Sequence, residues 1–216
     1  MTTGLDYDGL ASVFRAAAAN VRSGVDRLCE LDCATGDGDH GVAMGRAMDA
    51  LEKGIDQCST TSIQTMLEGV AESVESIDAG STGPLMGSLM EGIAESVGDA
   101  TRIDTRLLAT IFEAGLDELL VISKAKVGDK TMVDALIPAV EALKVAAAGG
   151  ESVADALAKA ADAAEAGAEK TKQFQARFGR ARNLGERSIG HQDPGATSMA
   201  MFFRGMAEGA ASRENS

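Results

Sequence analysis

The stretch Asp32-Cys33-Ala34-Thr35-Gly36-Asp37-Gly38-Asp39-His40-Gly41 places three carboxylates within eight residues, between two segments of helical periodicity. Carboxylates this close repel one another unless a cation or hydrogen-bond donors compensate. The interspersed glycines let the backbone turn tightly and bring the carboxylates to one point. Oxygen ligands on a flexible loop suit a hard cation, and Mg²⁺ in particular is held by few carboxylates plus substrate phosphates. The same residues also read as a solvated acidic turn, the commonest setting of Asp-Gly-Asp. An EF-hand is disfavoured: with Asp37 at position one, Met48 occupies position twelve, where a bidentate Glu is required.

Outward from this loop nearly every segment repeats its apolar residues at three and four. Leu10, Val13, Phe14, Ala17, Val21, Val25 and Leu28 predict a first amphipathic helix over roughly residues 8–30. Val42, Met44, Met48, Leu51 and Ile55 predict a second. A third begins near Thr61 or Ser62, both suitable N-caps, and stops at Asp78-Ala79-Gly80-Ser81-Thr82-Gly83, where Pro84 fits the first turn of a fourth. Asp104 or Thr105 caps a fifth. A sixth spans about Thr131 to Ala148, ending at Gly149-Gly150 and kinked at Pro138. Ser152 with Asp155 opens an alanine-rich seventh that continues to about Phe178. The eighth follows Pro194 with Met199, Met201, Phe202, Phe203 and Met206. No segment alternates with period two, so the expectation is one all-α domain over 1–216 with about eight helices and a core of Ala, Leu, Val and Met.

Composition narrows the function. A net charge of −13 argues against a nucleic-acid or anionic-membrane surface. Three cysteines do not make a disulfide framework, and Cys29 and Cys33, four apart, read as buried structural residues rather than redox ones. With only two histidines, the composition argues against a Cys/His zinc site. No apolar run approaches a membrane span, and no leader is visible, so a cytoplasmic location is expected.

Three further connections stand out. Gly80-Ser81-Thr82-Gly83-Pro84 offers hydroxyls and a helix N-terminus, which favours an anion such as phosphate, though it also serves as a plain helix–helix turn. Lys124-Ala125-Lys126-Val127-Gly128-Asp129-Lys130-Thr131 reads, taken alone, as a solvated basic turn. Gly179 to Gly195 is long and polar for a connector, and long ordered loops tend to be functional. Together the four loops hold candidate metal ligands, a phosphate cradle and arginines, the parts needed to bind a nucleotide through Mg²⁺. Neither a Walker sequence nor a Rossmann fingerprint is present, so any nucleotide site rests on a helical scaffold.

Asp32 through Gly41, the Gly83-Pro84-Leu85 turn, Gly128-Asp129-Lys130-Thr131-Met132 and the run from Leu184 to Ser198 (Leu-Gly-Glu-Arg-Ser-Ile-Gly-His-Gln-Asp-Pro-Gly-Ala-Thr-Ser) closely resemble the nucleotide-binding L subunit of dihydroxyacetone kinase, the DhaL family. The resemblance runs the whole length, with the motifs in the same order. It implies a barrel of eight antiparallel amphipathic helices with the nucleotide among the loops at one end. It implies that Asp32, Asp37 and Asp39 hold two Mg²⁺ ions. His40, Gly41, Val42 and Ala43, with Ser81 and Thr82, would line the phosphates of ADP or ATP. Ser123, Met132, Arg180, Asp193, Pro194 and Gly195 would surround the rest. Two positions depart from the family pattern: Ala43 stands where Asn or Thr is frequent, and Ser123 where glycine is familiar.

The resemblance further implies a kinase subunit that is active only with partners. A separate K subunit carries the ketose, dihydroxyacetone or erythrulose, and in one version a phosphohistidine M subunit of the phosphotransferase system rephosphorylates bound ADP. In the ATP-dependent version K and L are usually fused, so a free-standing chain is expected to belong to the first. A nucleotide-dependent grip on a transcriptional regulator, and a homodimer, are the other partner readings.

Overall fold

Helices begin where short polar side chains can cap them. Ser62 Oγ accepts from Thr65 N at 3.2 Å, Asp104 Oδ1 from Leu107 N at 2.8 Å and Ser152 Oγ from Asp155 N at 3.1 Å, each satisfying a first-turn donor. The computed structural model describes residues 4–214. Residues 1–3 and 215–216, which the sequence reading places in the same domain, lie outside the described residues.

The helices are α1 (Tyr7–Ser23), α2 (Val25–Cys33), α3 (His40–Gln57), α4 (Ile63–Glu75), α5 (Thr82–Val97), α6 (Thr105–Ile122), α7 (Val133–Gly149), α8 (Val153–Lys170) and α9 (Pro194–Glu214). Short 3₁₀ turns occupy Thr171–Gln173 and Arg180–Ser188. Among the described residues there is no strand; one isolated antiparallel bridge, Leu5 with Ile103, ties the chain's start to the α5–α6 link. The fold is all-α, as the periodicities require.

Each helix packs on the next around a ring: α1 on α3, then α4, α5, α6, α7, α8 and α9, and α9 back on α1. Eight helices thus close on themselves, and the short α2 is braced against α3 and α9. The interior is apolar. Rings of Phe14 and Phe202 lie 6.1 Å apart, Phe202 and Phe203 6.4 Å, and Phe203 and Phe112 5.4 Å, a chain of contacts from α1 through α9 to α6. Methionines and alanines fill the remaining gaps, with Met44, Met48, Met66 and Met90 buried.

Two helix boundaries and one cysteine differ from the sequence reading. The expected first helix breaks at Gly24 into α1 and α2. The alanine-rich helix stops at Lys170 rather than near Phe178, because the Thr171 hydroxyl donates back to Ala168 O and accepts from Asp193 N, pulling the chain away from the helix axis. Cys33 is exposed rather than buried, and all three cysteines are free.

Up-and-down winding puts alternate connections at the same end. The α2–α3, α4–α5, α6–α7 and α8–α9 links all meet around one cleft. The N-termini of α3, α5, α7 and α9 therefore point toward it. No helix among the described residues is long and apolar enough to cross a membrane.

Candidate functional site

The cleft has a volume of about 650 Å³ and draws its wall from all four links. Its acidic side is built on the α2–α3 turn. Asp32 stands in the last turn of α2, and Asp37 and Asp39 follow in the turn itself. Gly38, at φ +80°, supplies a backbone conformation that an L side chain rarely adopts. The two limbs are then pressed together at Gly41, where an added Cβ would lie 2.1 Å from Val25 O and 2.7 Å from Cys29 Sγ. This approach of α3 to α2 brings one carboxylate oxygen from each of Asp32, Asp37 and Asp39 within 4.8 Å of the others. Asp32 Oδ2 also accepts from His40 N at 3.2 Å, and Asp37 pairs with Arg180.

Helix capping divides the barrel into two unlike ends. At the end away from the cleft, α1, α4, α6 and α8 each start with a side-chain cap, from Asp6, Ser62, Asp104 and Ser152. At the cleft, α3, α5 and α7 start at Asp39, Ser81 and Met132, and none of these makes a side-chain cap. The first N–H of α3 goes to Asp32 Oδ2 and that of α7 to Thr131 Oγ1, and the positive dipole ends of all three helices point toward the cleft, an arrangement that favours a bound anion. The fourth, α9, is capped: Ala196 N donates to Asp193 Oδ2 at 2.7 Å.

Thirteen of the fifteen site residues expected from sequence line this one cleft. They are Asp32, Asp37, Asp39, His40, Ala43, Ser81, Thr82, Ser123, Met132, Arg180, Asp193, Pro194 and Gly195. Gly41 and Val42 do not line it. Gly41 is buried against α2, and the Val42 side chain is exposed at the start of α3. His40 ties two helices together: its Nε2 lies 3.0 Å from Ser198 Oγ on α9. Burial lowers its pKa below the ordinary 6.5, against the opposing charge of Asp32.

The other wall holds groups that the sequence reading passed over. Lys130 is only 2 % exposed, although its loop reads as a solvated basic turn; Lys124 and Lys126 of the same loop do lie on the surface. Lys130 Nζ donates to Thr171 O at 2.6 Å and to His191 O. Buried Asp134 accepts from Gly128 N at 2.6 Å and Thr131 N at 2.8 Å, which fixes the loop ahead of α7. Burial pushes the Asp193 carboxyl up to about 7, opposed by the Ala196 N–H and by the charge of Lys130. Thr35, buried in the acidic turn, also faces the cleft. Its position inside the Asp-rich stretch was the one signal available for it.

The family model described as the DAK2 domain matches residues 34–208. The chain belongs to the DAK2-domain family. As a DAK2 domain it is 36 % identical over 181 residues to the PEP-dependent dihydroxyacetone kinase 1 ADP-binding subunit DhaL of Listeria innocua, covering 84 % of this chain and 85 % of that one. It is 37 % identical over 180 residues to the corresponding DhaL subunit of Escherichia coli, covering 83 % and 86 %. The crystal structure of the C. freundii dihydroxyacetone kinase in complex with AMP-PNP and Mg²⁺ superposes with a TM-score of 0.71 at 26 % identity, over 92 % of this DAK2 domain and 33 % of that chain.

The cleft of this DAK2 domain fits a metal–nucleotide group on its own features. Three carboxylates converge with one guanidinium among them, and the N-termini of α3, α5 and α7 point toward the same space. The donor set is all oxygen, which suits Mg²⁺.

Proposed function

We propose that this chain is the ADP-binding subunit of a PEP-dependent dihydroxyacetone kinase, holding a Mg²⁺–nucleotide while a partner presents the ketose. The observation that carries the reading is the pairing of opposite charges across one cleft. A carboxylate triad stands beside the N-termini of α3, α5 and α7, whose N-cap residues Asp39, Ser81 and Met132 make no side-chain cap. The identity to two DhaL subunits supports the choice of substrate and donor.

Asp32, Asp37 and Asp39 would hold the metal, as a pair of ions. The first-turn N–H groups of α3 and α5 would receive the phosphates, with the hydroxyls of Ser81 and Thr82 beside them. Met132, Ser123, Pro194 and Gly195 would form the wall for the remaining nucleotide. When bound, Mg²⁺ supplies neutralisation of charge on the phosphate oxygens. Arg180 lies at the triad and would add a positive charge at the phosphate end. This chain's own work is orientation and charge compensation, contributions on which phosphoryl transfer chiefly depends.

The acceptor would arrive on a K-type sugar-binding subunit, and an M-type phosphohistidine subunit would regenerate the donor. Six of the seven large exposed apolar side chains among the described residues belong to the cleft end: Val42, Val121, Ile122, Val127, Phe178 and Ile189. Ile122 and Phe178 line the cleft itself. An apolar rim around a charged cleft suits a protein partner that closes over it.

The test is reconstitution with purified K-type and M-type subunits, the phosphotransferase proteins and PEP. Phosphorylation of dihydroxyacetone that requires this chain and PEP is expected, with no added ATP needed. Turnover with ATP and the K-type subunit alone, unaffected by PEP, would assign the chain to the ATP-dependent class instead.

A further inference from the structure

The α8–α9 loop has two feet, and both rest on one buried ammonium. Lys130 Nζ reaches Thr171 O at the loop's start and His191 O near its end. Three more bonds close the base: Gly190 N donates to Lys172 O at 2.7 Å, Asp193 N to Thr171 Oγ1 at 2.8 Å and Arg177 N to Asp129 O at 3.1 Å. Lys130 also holds φ +62°, and it is the one non-glycine residue with positive φ among the described residues. An L side chain in that region costs energy and persists only where its surroundings fix it. Full burial of a lysine is rare without partners. Here two carbonyls accept its protons, and the charges of Asp193 and Asp134 oppose the burial that lowers its pKa. At the far side of the same loop, Arg180 pairs with Asp37 of the carboxylate triad.

We propose that Lys130 is a positioning residue: its ammonium clamps both feet of the 171–193 loop, and so holds Arg180 against the carboxylate triad. Without the clamp, the Thr171 and His191 carbonyls lose their donor and the loop base opens. The clamp itself stands on geometry; its consequence for nucleotide binding rests on the function proposed above.

The loop contains its own reporter, since Arg177, Arg180, Arg182 and Arg187 are trypsin sites and all four are exposed. Lys130→Met keeps the side-chain stem and removes the donors. Lys130→Gly removes the amine while accommodating φ +62°. Both variants are expected to be cleaved within 177–187 about tenfold faster than the parent, at unchanged helical circular dichroism, because cleavage follows the population of the opened loop. Phe203→Ala, a core change remote from the loop, serves as control at matched thermal stability. Loop cleavage of the Lys130 variants no faster than that of this control would overturn the proposal. So would failure of both Lys130 variants to fold while Phe203→Ala folds, since Lys130 would then serve the fold as a whole.

A second readout separates positioning from general support. If Lys130 acts through Arg180, Lys130→Met adds nothing to the loss of Mg²⁺–ADP affinity already caused by Arg180→Ala. Additive losses would contradict the proposal. Should the chain bind no ADP at all, the proposed function fails, and the proteolysis still decides the clamp.

Discussion

Removing one charge from the carboxylate triad should act in opposite directions on the free and the ligated protein. Asp37 lies within 4.8 Å of both other carboxylates, and its side chain is 40 % exposed. Each repulsion at that distance is worth about 1 kcal/mol at the dielectric of water, and the exposure of Asp37 keeps it near that low figure. Asp37→Asn relieves two such contacts and loses one exposed pair with Arg180, itself worth about 1 kcal/mol or less. The free protein should therefore gain about 1 kcal/mol, or about 2–4 °C in Tm for a chain of this size. With Mg²⁺–ADP at one hundred times its Kd, the parent gains about 2.7 kcal/mol, a rise of about 5–11 °C. Loss of one of three oxygen ligands should weaken binding by at least about a hundredfold. At the same ligand concentration the variant then gains only about 0.4 kcal/mol, or 1–2 °C. Thermal melts with and without Mg²⁺–ADP read both effects, with exposed Asp117→Asn as a control that keeps the full ligand shift. A variant with an undiminished shift, or one whose free form melts several degrees lower, would refute the metal assignment.

Three other perturbations reach different parts of the account. Gly41→Ala drives a methyl into Val25 O and Cys29 Sγ, so it should cost about 1–3 kcal/mol. It should also abolish Mg²⁺-dependent nucleotide retention, because the limbs bearing Asp32 and Asp39 separate; an unchanged melt and affinity would deny that contact. Thr171→Val leaves the buried Asp193 N–H without its acceptor and should lower stability by about 1–3 kcal/mol, read by denaturant titration. Asp193 carries the pH dependence. Its carboxyl is raised from 3.8 to about 7 in the folded chain, so the native state keeps a proton that the unfolded chain gives up between those values. The stability it contributes is full below about pH 4 and lost as pH rises through about 7. The Tm of Asp193→Asn minus that of the parent should therefore climb across this window, and a flat difference would contradict the assignment.

The helices were legible because their signals are local. The caps at Ser62, Asp104 and Ser152 lie within three residues of the donors they satisfy, and apolar spacing marks the buried faces. What the sequence left open depends on partners far along the chain. Gly24 breaks the first helix where Met201 of α9 packs so closely that a Cβ would sit 2.6 Å from its sulfur. The end of α8 is set by Thr171 meeting Asp193, twenty-two positions on. Lys130 looks like any surface lysine until His191, sixty-one positions away, supplies a carbonyl to it.

The site followed the same division. The acidic turn announces itself because its three carboxylates are neighbours in sequence. That thirteen expected residues share one cleft follows from up-and-down winding, which gathers every second connection at one end. The family resemblance supplied residues such as Ser123 and Met132, which carry no distinctive chemistry of their own. It also suggested Gly41 and Val42, which the fold keeps off the cleft wall. The contrast between capped and uncapped helix starts needed the structure. Asp39 and Ser81 are good capping residues by type, yet neither side chain caps its helix.

The central claim, that this cleft holds a metal-bound nucleotide, is tested most directly by purifying the chain without added nucleotide, denaturing it and identifying what is released. The account predicts ADP and Mg²⁺ in stoichiometric amount, both lost in Asp37→Asn. A chain that releases no nucleotide and, in the presence of Mg²⁺, binds neither ADP nor ATP would contradict it.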